Sequence, residues 1–411
     1  MTSVLDRFLR YVTYDTQSRE DATTYPSTPG QLVLLHDLVA ELRAMGIADA
    51  VINEHGYVMA TIPATTAKEN VPVIGFIAHV DTSPEMPGAN VKPLVHRHYD
   101  GRDLVLPDDP SAVLRVVDAP YLGDCLGHDI VTASGTTLLG ADNKSGVAEI
   151  MTAAEYLLAH PEIPHGAIRI AFTPDEEVGR GTAYFDVGRF GAHCAYTMDG
   201  GQRGELEYES FSADAITITF NGFNTHPGFA KGRMINAIKL ASRFVASLPD
   251  EGMSPETTEG REGFVHPYVV SASVERTSVK LLIRDFDTRG LSAKADWLRA
   301  LAAAAVATAP GASFDVAIEE SYRNMREVLD HHPQVVANAR AAIERAGITV
   351  HERAIRGGTD GSRLSFMGLP TPNIFAGEQN FHSRLEWVSV QDMEKAVDVI
   401  VELAKVWEER A

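Results

Sequence analysis

Basic residues, cysteines and long apolar runs are all scarce in this chain, and each shortage removes a class of function. Lys and Arg number 36 against 56 Asp and Glu, a formal net charge of -20 over 411 residues. A surface of that sign repels phosphate backbones, so nucleic acid is not an expected partner. Two cysteines, Cys125 and Cys194, cannot build a disulfide framework, and a reducing compartment suits them. No uninterrupted apolar run approaches a membrane span, and the first eight residues lack the apolar core of a signal peptide. The expected setting is cytoplasmic, with no membrane partner. Familiar catalytic signatures are missing as well. No Gly-x-Ser-x-Gly elbow occurs, which disfavours a serine hydrolase, and the absence of His-Glu-x-x-His excludes the single-zinc helix type. Gly135 to Lys144 has a superficial phosphate-loop spacing, but no Lys directly follows the second Gly, so a nucleotide reading fails.

Hydrophobic residues make up 45% of the chain, enough for a sizeable core, and the length predicts two domains. The central stretch is 172–179. An apolar run over 168–172 reads as a buried strand, stops on Pro174 and delivers Asp175-Glu176-Glu177. Open α/β sheets place their chemistry at the carboxyl ends of strands. Desolvated acids in a row need a counter-charge, which a divalent metal supplies. Taken alone, a solvated acidic turn is the better account.

Other strand ends shift the balance toward the metal. The apolar run 73–78 ends in His79-Val80-Asp81, and on an extended chain His79 and Asp81 share a side. That pairing suits an imidazole ligand oriented by a carboxylate. Asp142 opens a helix with Val147, Met151, Ala154 and Leu158 on one face, where it would cap with one oxygen and bind metal with the other. The run 194–198 ends in Asp199-Gly200-Gly201, and His382 follows a strand at 373–376. Imidazoles and carboxylates in this mixture suit zinc, or alternatively manganese or cobalt. His79, Asp142, Glu177, Asp199 and His382 exceed one tetrahedral site. Two ions roughly 3.5–4 Å apart with a shared carboxylate would use them all, lower the pKa of a bridging water and leave Glu176 as general base.

Elsewhere the periodicity predicts an opening amphipathic helix through Val4, Phe8, Tyr11 and Val12. A second helix runs from a capping box at Thr28-Pro29-Gly30-Gln31 to Gly46. A hairpin around Glu54-His55-Gly56 leaves His55 exposed. Residues 84–135, rich in Pro, Gly, Asp and His, read as long loops with short strands. They include Cys125-x-x-His128, whose spacing is metal-like but which nothing nearby in sequence completes, so both residues read as structural. Segment 211–324 has the order β-α-β-β-α-β of a ferredoxin-like unit, inserted between 1–210 and 325–411. The last helix begins at Ser389-x-x-Asp392.

His79-Val80-Asp81, Gly140-Ala141-Asp142, Asp175-Glu176-Glu177, Asp199-Gly200-Gly201 and His382 stand in the order of the M20 metallopeptidases. The chain resembles that family, in particular its tripeptide aminopeptidases. Thr137 to Asp142, His226-Pro227-Gly228, Ala230-Lys231-Gly232, Ile283 to Asp287 and Gly357 to Gly361 extend the resemblance across nearly the whole chain. It implies an α/β fold, a mixed-sheet zinc-peptidase catalytic domain with an inserted ferredoxin-like α+β lid.

By the same resemblance, one zinc would take His79, Asp142 and Asp199, and the other Asp142, Glu177 and His382, bridged by Asp142 and a water. Asp81 would orient His79, and Glu176 would pass the water's proton to the leaving amine. His226 would help hold the oxyanion, with Arg284 and Arg356 near the peptide's carboxylate. Asn143 stands where a second Asp is common, Phe229 where Thr is usual, and Ser383 where Gly is usual. The implied activity is removal of the N-terminal residue from short peptides, preferentially tripeptides. A dizinc dipeptidase or N-acyl amino acid amidohydrolase is the alternative. A non-catalytic peptide binder would require a lost ligand or base, and none is missing. Short peptides are the expected partners, and a homodimer stays open.

Overall fold

The apolar runs that end in acids and imidazoles become neighbouring strands of one sheet. Ile74–His79 pairs in parallel with Ile168–Thr173 on one side and Cys194–Gly200 on the other, and Asn373–Phe375 extends the parallel set. All six residues of Ile74–His79 are buried, as a strand covered on both faces requires. Because these four strands run the same way, their carboxyl ends share one edge of the sheet. The structure, a computed structural model covering Met1–Ala411, completes this sheet to eight strands. Their order is Val51–Ile52, Val58–Ile62, Ile168–Thr173, Ile74–His79, Cys194–Gly200, Asn373–Phe375, Glu205–Ser210 and His351–Ile355.

Helix Ala141–Ala159 packs on Ile74–His79 and Cys194–Gly200, and Val4–Tyr11 and Val390–Glu409 pack on that helix. Gly146 permits the close approach, since a Cβ there would stand 2.0 Å from the Met198 carbonyl oxygen. Ser389 caps the last helix as its sequence predicts, accepting from the Asp392 N–H.

Three local expectations need correction. Thr28 makes no side-chain cap at Pro29–Ala44; its Oγ1 accepts instead from the side-chain amide of the buried Gln31 at 3.2 Å, which also donates to Asp175 at 2.7 Å. Asp142 does not cap its helix. Gly140 holds the N-cap position with a left-handed backbone (φ 81°), and Glu386 accepts from the N–H groups of Leu139, Gly140 and Asp142. His55 is half-buried and stacks on Tyr184 with ring centroids 4.2 Å apart. Asp360–Phe366 forms a short helix capped by Thr359, too brief to show a hydrophobic period.

The chain divides into two compact units. One contains Met1–Tyr208, Val328–Arg353 and Thr359–Ala411, and the other contains Glu209–Glu327 and Ala354–Gly358. The second unit has its own antiparallel sheet, ordered Phe264–Ala272, Arg276–Asp285, Ser212–Asn221, Ser313–Tyr322. Helices Ala237–Val245 and Thr288–Ala307 pack on it around Ile216, Phe220, Leu240, Phe244, Leu281, Ile283 and Leu298. Chain order and strand order together are those of a ferredoxin-like unit. The molecule is thus a mixed α/β sheet domain carrying a separate antiparallel α+β unit.

Candidate metal centre

Asp142 lies between two imidazoles. Its Oδ1 is 2.9 Å from Nε2 of His79, and its Oδ2 is 3.2 Å from Nε2 of His382. Asp199, at the end of its strand, brings Oδ1 to 3.3 Å from the same His79 nitrogen. Glu177 brings Oε2 to 2.8 Å from Nε2 of His382. Asp81 ties the arrangement together. Its two oxygens accept from the N–H groups of Glu176 and Glu177 at 3.0 and 3.1 Å, and Oδ1 stands 3.4 Å from Nδ1 of His79. The same ring nitrogen lies 3.1 Å from the Asp81 carbonyl. The turn is anchored from behind by Asp175, which accepts from the Ser27 N–H and from Gln31, each at 2.7 Å. Of the three consecutive acids, Asp175 is therefore scaffold, and Glu176 and Glu177 face the centre.

Electrostatics show the crowding. Burial disfavours the His79 imidazolium, yet Asp199, Asp142 and Asp81 outweigh it and raise its pKa well above the ordinary value. Hydrogen bonds to Asp142 and Glu177 raise His382 to about 11. Burial opposes the Asp142 carboxylate, but His382 and His79 together hold it below the usual range. Burial, reinforced by Asp142, raises Glu177 to about 8. Burial also raises Asp199, and it lifts Glu176 well above an ordinary carboxyl.

This donor set fits a pair of cations. Atoms bound to a tetrahedral zinc at about 2.0–2.1 Å stand roughly 3.3 Å from each other. The nitrogen–oxygen separations here run from 2.8 to 3.3 Å. Glu177 Oε1 is buried with no hydrogen-bond partner, as an oxygen reserved for a cation would be. Ligand atoms of His79, Asp142 and Glu177 lie within 4.8 Å of one another, as do those of Asp142, Asp199 and Glu378. Asp142 belongs to both groups.

Sequence patterns do not single out three further residues near the centre. Glu378 is fully buried, and burial with Asp142 and Asp199 beside it raises its pKa well above normal. A signal for it does exist, since it is an acid three residues past the strand Asn373–Phe375. Glu386 is raised to about 7 by burial, and Asp360, which accepts from Thr173 Oγ1 at 2.9 Å, to about 6 by burial. Neither stands at a predicted strand end. Asn143 takes a local role, its Oδ1 accepting from the Gly146 N–H at 3.2 Å.

The other expected site residues lie in the second unit. His226 is exposed, and its Nδ1 accepts from the Gly228 N–H at 3.1 Å. Arg284 donates from Nη1 to the Arg356 carbonyl at 3.1 Å, while its buried Nε has no partner. Arg356 spends its guanidinium on the carbonyls of Gly260, Glu262 and Thr258 and on Thr258 Oγ1.

Cys125 and His128 do find a third residue. Asp392, remote in sequence, places a carboxylate oxygen within 4.8 Å of their ligand atoms. Tyr121 donates to Asp392 at 2.7 Å, Arg203 lies 3.3 Å from its other oxygen, and His128 pairs with Ser389 at 2.8 Å. A guanidinium already supplies the counter-charge there, so the cluster is structural.

The chain has relatives both in sequence and in fold. The family model described as Peptidase family M20/M25/M40 matches residues 138–406. A peptidase T of Geobacillus sp. (strain WCH70) is 51% identical over 408 residues, covering 99% of each chain. A peptidase T of Bacillus subtilis (strain 168) is 50% identical over 408 residues, again covering 99% of each. Among solved structures, the fold is similar to aminopeptidase PepT from Bacillus cereus, with TM-score 0.75, 22% identity and 98% of each chain covered. It is also similar to a tripeptidase from Staphylococcus aureus, with TM-score 0.76, 19% identity, and 99% of this chain and 98% of that one covered. On its sequence and its fold, the chain belongs to peptidase family M20/M25/M40.

Proposed function

We propose that the chain is a dinuclear zinc aminopeptidase that removes the N-terminal residue from short peptides, preferentially tripeptides. The observation that carries this reading is Asp142, whose two oxygens face the imidazoles of different ligand groups. The substrate class is supported by the peptidase T relatives and the tripeptidase of similar fold. His79, Asp142 and Asp199 would hold one zinc, and Asp142, Glu177 and His382 the other. When bound, the pair supplies Lewis-acid stabilisation of the developing oxyanion and activation of water at neutral pH.

The chain's own residues do the rest. Glu176 takes the proton of the attacking water and returns it to the leaving amine, from a half-buried position on the turn whose N–H groups donate to Asp81. Asp81 is a positioning residue, fixing the His79 ring and the backbone that presents Glu176 and Glu177. His226 contributes a donor for the oxyanion: with Nδ1 accepting, the neutral ring carries its proton on Nε2. Arg284, with its unspent Nε, is the better partner for the peptide's carboxylate, and Arg356 shapes the 258–262 loop beside it. In this reading the insertion 211–324 is the family's lid unit, and 1–210 and 325–411 are the catalytic segments. We place the enzyme in the cytoplasm; no helix is long and apolar enough to cross a membrane.

Chelation is expected to abolish tripeptide hydrolysis, and zinc or cobalt to restore it. Glu176→Gln should keep its metal, by elemental analysis, while turnover falls by about 10²–10⁴. Full turnover in that variant would remove Glu176 as the base. Side-by-side assays of di-, tri- and N-acylated substrates separate this reading from a dipeptidase or amidohydrolase.

A further inference from the structure

One more carboxylate lies within reach of the cation assigned to His79, Asp142 and Asp199. Glu378 is fully buried, and its ligand oxygen is within 4.8 Å of those of Asp142 and Asp199. One of its oxygens, Oε1, accepts from Ser145 Oγ at 2.7 Å, while Oε2 has no hydrogen-bond partner. Ser145 is itself buried on helix Ala141–Ala159, and its Oγ also lies 2.8 Å from the Ala141 carbonyl. The carboxylate is thus aimed by a helix that already carries Asp142, with one oxygen anchored and the other left over. An orphaned carboxylate oxygen in a dry interior is costly unless a cation takes it.

We propose that Glu378 is a further ligand of the cation held by His79, Asp142 and Asp199, which makes that half of the centre oxygen-rich. The inference rests on the dinuclear reading above. With Glu378, this half offers three carboxylates and one imidazole; the other half offers Asp142, Glu177 and His382. Carboxylate oxygens suit manganese. Each half has a single imidazole, so the extra carboxylate is the difference: the Glu378 half favours manganese more than the His382 half does.

The full-length chain, stripped by chelation and reloaded, tests this by elemental analysis, by titration calorimetry with manganese or zinc alone, and by anomalous diffraction of manganese-loaded crystals. Wild type is expected to bind two equivalents. Glu378→Gln should weaken manganese at one position by about tenfold or more and leave zinc at the other unchanged. Ser145→Ala keeps the carboxylate but removes its anchor; it should weaken manganese at the same position, and it decides the matter if Glu378→Gln fails to fold. A manganese peak about 2.2 Å from a Glu378 oxygen supports the assignment directly. Two equivalents in wild type with manganese affinity unchanged in both variants, or a peak beyond bonding distance of Glu378, overturns Glu378 alone. A single equivalent in wild type overturns the dinuclear reading, and this inference with it.

Discussion

Asp81 spends both carboxylate oxygens on backbone N–H groups and still meets a ring nitrogen of His79. Removing it leaves two donors unpaired, while the backbone carbonyl of residue 81 still meets the ring, so Asp81→Ala should weaken zinc by about tenfold, read by competition with a chromophoric chelator. The protonation pattern gives a second expectation. His382 at about 11 and a raised His79 hold protons at neutral pH. A cation needs neutral imidazole and charged carboxylate, so loading must release those protons. Zinc affinity should therefore rise from pH 6 to 9, and calorimetry in buffers of different ionisation heat should count the protons. Net release of none at pH 7 would contradict the scheme. Glu386 is the residue that local reading could not find. Its role exists only because three N–H groups of a distant helix start face it.

At the scale of elements, parallel strands bring the chemistry together and helix packing fixes its spacing. Helix Ala141–Ala159 carries Asp142 and must approach the strand that carries Asp199. Gly146→Ala would drive a methyl to 2.0 Å from the Met198 carbonyl, with Asn143 Oδ1 at 2.3 Å. We expect a loss of about 3 kcal/mol or more in stability, together with reduced metal uptake, measured by denaturant titration and elemental analysis. The strand ends were legible because an apolar run that stops on a charged residue is a local signal. The missing cap at Thr28 was not, because the Gln31 amide that engages Thr28 Oγ1 is itself oriented by Asp175, far away in sequence.

Across the whole molecule, two separate cores make two stability problems. Leu281 is fully buried in the second unit's core, so Leu281→Ala should cost that unit about 2–5 kcal/mol. Calorimetry should show the loss in one transition, while metal uptake by the first unit stays at the wild-type level. Loss of bound metal in that variant would show that the two units do not behave independently. The order of the inserted unit was readable from alternating strands and helical periods, which are local. Its chain boundaries were less so: Ala354–Gly358 joins it from beyond the insertion.

By itself the sequence determined which strands end in acids and imidazoles, and the family, because these depend on residues adjacent in the chain. Only the tertiary structure decided that Asp142 divides its oxygens between His79 and His382, that Glu378 turns toward Asp199, and that Asp392 completes the surroundings of Cys125 and His128. Those contacts join residues far apart in the chain, and the packing of helices on the sheet, which no local pattern encodes, sets their distances.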